Sequence, residues 1–156
     1  MPIRGALHIG EGNLTIEDVW DVAWRARPVR LSPSARAGMN ASRAVVDAAG
    51  CGDVPAYGIN TGFGALSEIK ISPDQIRTLQ KNLILSHCAG VGDPLPEDSV
   101  RAMLLLRANV LAGGYAGVRP VLVERVLALL NAGVHPVVPA QGSVGASGDL
   151  APLAHL

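Results

Sequence analysis

Apolar positions recur every three to four residues along most of this chain, and polar start and stop residues frame each run. Thr15 opens TIEDVWDVAWRA, with Asp18 at the capping-box position and acids in the first turn. Ser32-Pro33 opens ARAGMNASRAVVDAAG, and Gly50 is a natural stop. Ser72-Pro73 repeats that opening with Gln75 three residues after the cap, and the pattern runs to about Ala89 before Gly90. PEDSVRAMLLLRANVLAGG and RPVLVERVLALLNAG predict two more helices, each ending at glycine. No stretch alternates over strand length, and the prolines of VHPVVP limit it to a short extended piece. The pattern predicts an all-α fold. Two long segments escape the helices, residues 51–68 and 135–149. Loops of that length in a compact domain are usually functional or disordered, and both hold too many apolar residues for disorder.

A length of 156 residues suits one domain. Hydrophobic residues make up 49% and charged residues 17%, with mean hydropathy +0.30, while aromatics reach only 3%. Ala, Val and Leu therefore supply the apolar mass, which suits closely packed helices and implies surface that other protein should cover. Lysine plus arginine balance aspartate plus glutamate at 13 each without a charge run, so nucleic acid and anionic membranes are poor partners. The longest uncharged stretch, Val126–Ala140, is interrupted by Asn131, Gly133, His135 and two prolines, so no membrane span is expected. MPIRGALHIGEG has no apolar signal region, and a cytoplasmic location is expected. Cys51 and Cys88 lack metal-ligand spacing and read as free thiols of a reducing compartment; no metal site is expected. His8, His135 and His155 have no partner spacing and read as structural.

GSVGASGDLAP, residues 142–152, is too small in its side chains to build a core. It lacks the Gly-Lys-Ser/Thr of a phosphate loop, and Asp149 after Gly148 would repel phosphate. A dinucleotide fingerprint needs a preceding strand, and a nucleophile elbow needs its last glycine one position later. The plain alternative is a flexible loop in which Ser147 or Asp149 caps a helix through Leu150–Leu156. One further device needs these residue types. In a tight turn the Gly148 amide nitrogen can attack the Ala146 carbonyl and close a five-membered ring, and loss of water from the ring and from Ser147 leaves an exocyclic methylene. Glycine has no Cβ to obstruct the bend, alanine leaves the carbonyl uncrowded, and serine carries the hydroxyl to be eliminated.

GSVGASGDLAPLAHL resembles the signature of the aromatic amino acid ammonia-lyases, which build 4-methylidene-imidazol-5-one (MIO) from an internal Ala-Ser-Gly. YGINTGFG, residues 57–64, resembles that family's mobile loop with its catalytic tyrosine, and LQKNLILSHCAGVG, residues 79–92, its substrate-selectivity helix. The likeness runs from about residue 15 to the end. It implies that residues 1–156 form the N-terminal, MIO-bearing helical domain of a fumarase/aspartase-like fold, cut just after Ala-Ser-Gly and without the central helical bundle.

By the same resemblance the catalytic residues are Tyr57, Ala146, Ser147 and Gly148; Ser86, His87 and Asn60 bind substrate; Gly62, Gly64 and Asp149 support them. MIO forms autocatalytically, and no external cofactor is implied. Ile76, Leu79, Leu83 and His87 fall on one helical face, where a lone histidine is ordinarily a core residue. The pair Ser86-His87 resembles that of family members acting on histidine, against Phe-Leu for phenylalanine and His-Leu for bacterial tyrosine lyases. The implied reaction is deamination of L-histidine to urocanate and ammonia. Tyr57 would remove a β-proton, although a free phenol titrates near 10, so its phenolate needs stabilising neighbours. The family forms homotetramers whose active sites draw on several subunits, so this piece alone is expected to be inactive. Two alternatives stand beside this reading: a tyrosine or phenylalanine lyase or aminomutase of the same family, and a non-catalytic helical module that binds partner chains.

Overall fold

A computed structural model describes residues 5–144 and 150–156. In chain order these form β1 (Leu7–Ile9), α1 (Ile16–Arg25), β2 (Val29–Leu31), α2 (Pro33–Cys51), α3 (Pro73–His87), β3 (Val91–Pro94), α4 (Glu97–Ala112), α5 (Pro120–Asn131), β4 (Pro139–Gln141) and α6 (Leu150–His155), with one 3-10 turn at Gly64–Leu66. The expected all-α character holds, since every strand is three or four residues long.

The predicted starts are where the capping chemistry puts them. Thr15 Oγ1 accepts the Asp18 N–H at 3.1 Å while Asp18 Oδ2 accepts the Thr15 N–H at 3.1 Å, a complete capping box. Ser32 Oγ accepts the Ala35 N–H at 3.1 Å, and Pro33 fills the first turn, where no amide is needed. Two details differ from expectation. Helix α2 continues through Gly50 to Cys51, with Gly52 as its cap, because Gly50 keeps helical geometry. The Ser72 side chain makes no cap bond, so α3 begins on the fixed backbone of Pro73 alone, and it ends at His87 rather than Ala89.

The core lies between α1, α4 and α5, where Val22, Leu104, Leu105, Ala108, Val123, Leu127 and Leu130 are buried together with Ile9, Val29 and Met39. Arg101 sits in this core, with no carboxylate partner among the described residues. Its guanidinium donates to the Val22, Ala23 and Leu130 carbonyls at 2.9, 3.0 and 3.2 Å. These carbonyls lie in the last turns of α1 and α5, and Leu130 O also accepts the Gly133 N–H at 3.3 Å, so one cation serves two helix ends and both dipoles.

The strands came as an addition to the sequence reading. Strands β1 and β2 run parallel, Leu7 opposite Val29, with α1 as the connection. The Asn131 amide closes the sheet by binding both the N–H and the carbonyl of Val29 at 2.9 Å, as a further strand would. Strands β3 and β4 pair antiparallel, Val91 opposite Gln141 and Pro94 opposite Pro139; β4 shares only Pro139 with VHPVVP, whose other residues form no strand.

Candidate functional site

Between α2 and α3, residues 52–71 fold around Asn60, which is 1% exposed. Its Oδ1 accepts the Ala56 N–H at 2.7 Å, and its Nδ2 donates toward the Ala49, Gly52 and Val54 carbonyls at 3.2, 3.4 and 3.1 Å. The amide of Asn60 is thus engaged with the loop's own backbone, which binds the C-terminal end of α2 to the turn carrying Tyr57. Thr61, equally buried, accepts the Gly58 N–H at 3.3 Å and donates to the Gly62 carbonyl at 3.0 Å. Ile71 N–H to Asn60 O and Gly62 N–H to Ile69 O, at 2.8 and 3.1 Å, close the loop's base. Outside it, Lys70 holds Asp53 at 2.8 Å, and that hydrogen bond and charge keep the Asp53 carboxyl below its ordinary range.

Above this base the tip is open. Tyr57 is 64% exposed, its ring edge-on to Phe63 at a centroid distance of 5.8 Å. Gly58 has φ +73°, and at Gly62 a Cβ would lie 2.6 Å from Leu66 Cβ and 2.8 Å from the Leu66 carbonyl oxygen. Only glycine fits that contact. Gly64, with φ +57°, opens the 3-10 turn. The loop therefore combines a hydrogen-bonded base with an exposed aromatic tip, an arrangement that presents Tyr57 to whatever lies outside the chain's own core.

Helix α3 confirms the face read from the sequence: Ile76, Leu79, Leu83 and His87 are its half-buried positions, and its remaining residues are exposed. Leu83 O lies 2.8 Å from His87 Nδ1 and 2.8 Å from Ser86 Oγ, and Ser86 Oγ lies 3.1 Å from the same ring nitrogen. A carbonyl can only accept, so Nδ1 carries a proton; in the neutral ring Nε2 then presents a lone pair. Ser86 and His87 form one polar unit in which Nε2 is left as the ring's acceptor. The loop and this unit stand at opposite ends of α3. Fifteen helical residues place the loop's exit and His87 roughly 22 Å apart along the axis.

Ala146, Ser147, Gly148 and Asp149 lie outside the described residues. Their flanks are described: β4 ends at Gln141, Val144 is exposed, and α6 begins at Leu150. Helix α6 packs on α3, and His155 accepts the Gly90 N–H at 3.1 Å, a role consistent with its structural reading. Sequence reasoning passed over Arg101 and Thr61. Arg101 was detectable, because it falls on the same helical stripe as Val100, Leu104, Leu105 and Ala108. Thr61 carries no comparable signal, since its burial follows from the loop's fold.

Residues 14–156 match the model of the family described as aromatic amino acid lyase. The histidine ammonia-lyase of Stigmatella aurantiaca is 54% identical over 153 residues, 98% of this chain and 30% of that protein. Among solved structures, histidine ammonia-lyase from Trypanosoma cruzi matches with a TM-score of 0.86 at 40% identity, over 97% of this chain and 28% of that one. The ergothioneine degrading enzyme from Treponema denticola matches with a TM-score of 0.91 at 35% identity, over 96% and 30% respectively. The chain thus spans about 30% of the length of the curated relatives it matches.

Proposed function

The chain belongs to the aromatic amino acid lyase family, and we propose from that premise that it is the part of a histidine ammonia-lyase that carries the specificity helix, the tyrosine loop and the Ala-Ser-Gly motif. The reaction is the non-oxidative deamination of L-histidine to urocanate and ammonia. The observation that carries this reading is the Ser86-His87 unit. With Nδ1 held by Leu83 O, the lone pair at Nε2 suits a substrate imidazole N–H, a match that the ring of phenylalanine cannot offer.

The residues present fit an MIO group on two counts. Ala146, Ser147 and Gly148 occur in the required order, and the chain on either side of them is brought into contact, since a Cβ on Gly142 would lie 3.2 Å from Ala151 Cβ. Ring closure joins Gly148 N to the Ala146 carbonyl carbon; that carbonyl oxygen leaves as water with the amide hydrogens of Gly148 and Ser147. The Ser147 hydroxyl leaves as a second water with its Cα hydrogen. Once formed, the group supplies an electrophilic carbon for the substrate amine. Tyr57 takes the β-proton at its phenolic oxygen, Asn60 and Gly62 shape the loop beneath it, and His87 orients the imidazole. The exposure of Tyr57 and the length of α3 both suit a site completed by other chains of a homotetramer. No helix among the described residues is long and apolar enough to cross a membrane, and the reading carries a cytoplasmic location.

The test uses the protein expressed at the length of its relatives. Urocanate absorbance should rise with L-histidine, and the intact mass should fall short of the sequence mass by two waters, a deficit that Ser147→Ala abolishes. Replacing His87 by alanine should lower kcat/KM for histidine by at least about tenfold. Turnover of tyrosine or phenylalanine with none of histidine would overturn the substrate, and full mass in an active preparation would overturn the MIO chemistry.

A further inference from the structure

Tyr57 is pinned at its backbone and loose at its ring. Ala56 O accepts both the Ile59 and the Asn60 N–H, at 3.0 and 3.1 Å. Ala56 N–H donates to Asn60 Oδ1 at 2.7 Å, and Gly58 N–H donates to Thr61 Oγ1 at 3.3 Å. Both chain neighbours of Tyr57 are thus held, which fixes its Cα. Beyond Cα the hold ends. The residue is 64% exposed, and its phenolic oxygen has no hydrogen-bond partner among the described residues. A change of χ1 well swings that oxygen by several ångströms, and exposed side chains change wells freely. Its one aromatic neighbour among the described residues is Phe63, the only phenylalanine in the chain, edge-on at 78° with centroids 5.8 Å apart. At that separation and angle aromatic rings attract.

Phe63 is the better anchored of the two. It is half-buried, and the Gly62 N–H before it donates to Ile69 O at 3.1 Å. Its own carbonyl accepts the Leu66 N–H at 3.0 Å, as the N-cap of the 3-10 turn Gly64–Leu66. Its ring also reaches over Gly58, where a Cβ would lie 3.4 Å from Phe63 Cε1. Phe63 therefore meets both the turn beneath Tyr57 and the Tyr57 ring. We infer, on the proposed role of Tyr57 as base, that Phe63 is a positioning residue: its ring holds the phenol in one rotamer and so sets where the base stands. In that step the phenolate oxygen takes the β-proton of histidine, the C–H electron pair becomes the C=C bond, and the amine nitrogen leaves. Transfer needs the reacting atoms within about 3 to 3.5 Å, so its rate follows the fraction of time the oxygen is in place. Ser86 and His87 stand at the far end of α3 from this loop. Loss of Phe63 should therefore act on the proton step and leave recognition of the imidazole alone.

The test uses the protein at its relatives' length, with circular dichroism and the two-water mass deficit as checks of folding and dehydration. Phe63→Leu keeps an apolar side chain and removes the ring edge. It should lower kcat for L-histidine by about fivefold to tenfold and leave KM within about twofold. The deuterium isotope effect on kcat with β-deuterated histidine should rise, because the proton step becomes slower than the others. Phe63→Tyr, which keeps a ring, should return kcat to within about twofold of wild type. In a Tyr57→Phe background, Phe63→Leu should add no further loss, since it acts through the phenol. If Phe63→Leu does not fold, Phe63→Met decides by the same measures. A folded variant with wild-type kcat, a fall in kcat without a rise in the isotope effect, or a loss that adds in full to that of Tyr57→Phe overturns the positioning role and leaves the lyase reading intact. A Tyr57→Phe protein with wild-type kcat overturns the base itself, and the role of Phe63 with it.

Discussion

Helices α3 and α4 are of nearly equal length, 15 and 16 residues, and they live in different surroundings. Helix α4 buries Val100, Arg101, Leu104, Leu105, Ala108, Leu111 and Ala112 against α1 and α5, while α3 buries none of its residues and leaves Ile84 and Leu85 more than half exposed. One helix is held by a core the chain supplies for itself. The other packs on the six-residue α6, and its partial burial is confined to one stripe. A helix of about 15 residues is marginal in water by its propensity alone, so packing decides which of the two is firm. The division follows function: the region with the structural core carries no proposed site residue, and Tyr57, Ser86 and His87 all sit where the chain's own packing is thin. Val54, Leu66, Ile69 and Val91 are exposed in the same part of the chain, and they are apolar surface of the kind that the composition implied other protein should cover.

The sharpest way to break this contrast is to remove equivalent side chains from the two helices. Leu105→Ala should cost about 3 kcal/mol, whereas Leu85→Ala, at a position 61% exposed, should stay within about 0.5 kcal/mol. Denaturant melts of the two variants decide it, and equal losses would mean that α3 is as firmly packed as α4. Next in size is Arg101→Met. It keeps the apolar stem but takes the guanidinium donors from the Val22, Ala23 and Leu130 carbonyls, of which Leu130 keeps the Gly133 N–H, for a loss of about 2 kcal/mol in the same melt. An unchanged midpoint would show that the guanidinium is replaceable by packing alone.

Asn60→Ala tests the other region. Loss of its four loop contacts should raise amide exchange in residues 52–62 by about tenfold while moving the global midpoint less than Leu105→Ala does, which hydrogen-exchange mass spectrometry would resolve. The smallest effect concerns Asp18. Burial pushes its carboxyl up, but hydrogen bonds from the Thr15 backbone and hydroxyl and from Arg27 outweigh that and hold it below the ordinary 3.8. A carboxyl lowered on folding adds stability that is fully present above its unfolded value and is lost as pH falls through its folded value. The advantage of wild type over Asp18→Asn should therefore be constant near neutrality and shrink below about pH 3.8, as thermal melts across acid pH would record.

Much of this was legible beforehand because local chemistry and tertiary demand agreed. Thr15-Asp18 and Ser32-Pro33 specify helix starts with atoms a few residues apart, and the structure uses the same atoms. The Ile76-Leu79-Leu83-His87 face is a matter of helical period and appears as the half-buried stripe of α3. The strands were not legible. Three residues such as Leu7–Ile9 are too few to display an alternation, and their pairing with Val29–Leu31 depends on α1 returning the chain alongside. Asn60 drew attention as a site residue through its motif, but only the fold could show that its amide faces the loop's own carbonyls.

The amino-acid sequence by itself determined the helices, their polar starts, the apolar face that ends in His87, and the Ala-Ser-Gly triplet whose residue types permit a ring. These rest on spacing and on bonds between near neighbours, which any copy of the same letters would repeat. Tertiary structure alone decided that Arg101 serves two helix ends, that Leu83 places the proton of His87 on Nδ1, and that Gly90, Gly142, Ala151 and His155 converge on one point. Contacts between residues far apart in the chain depend on how each element turns before it meets the next, and no local pattern carries that information.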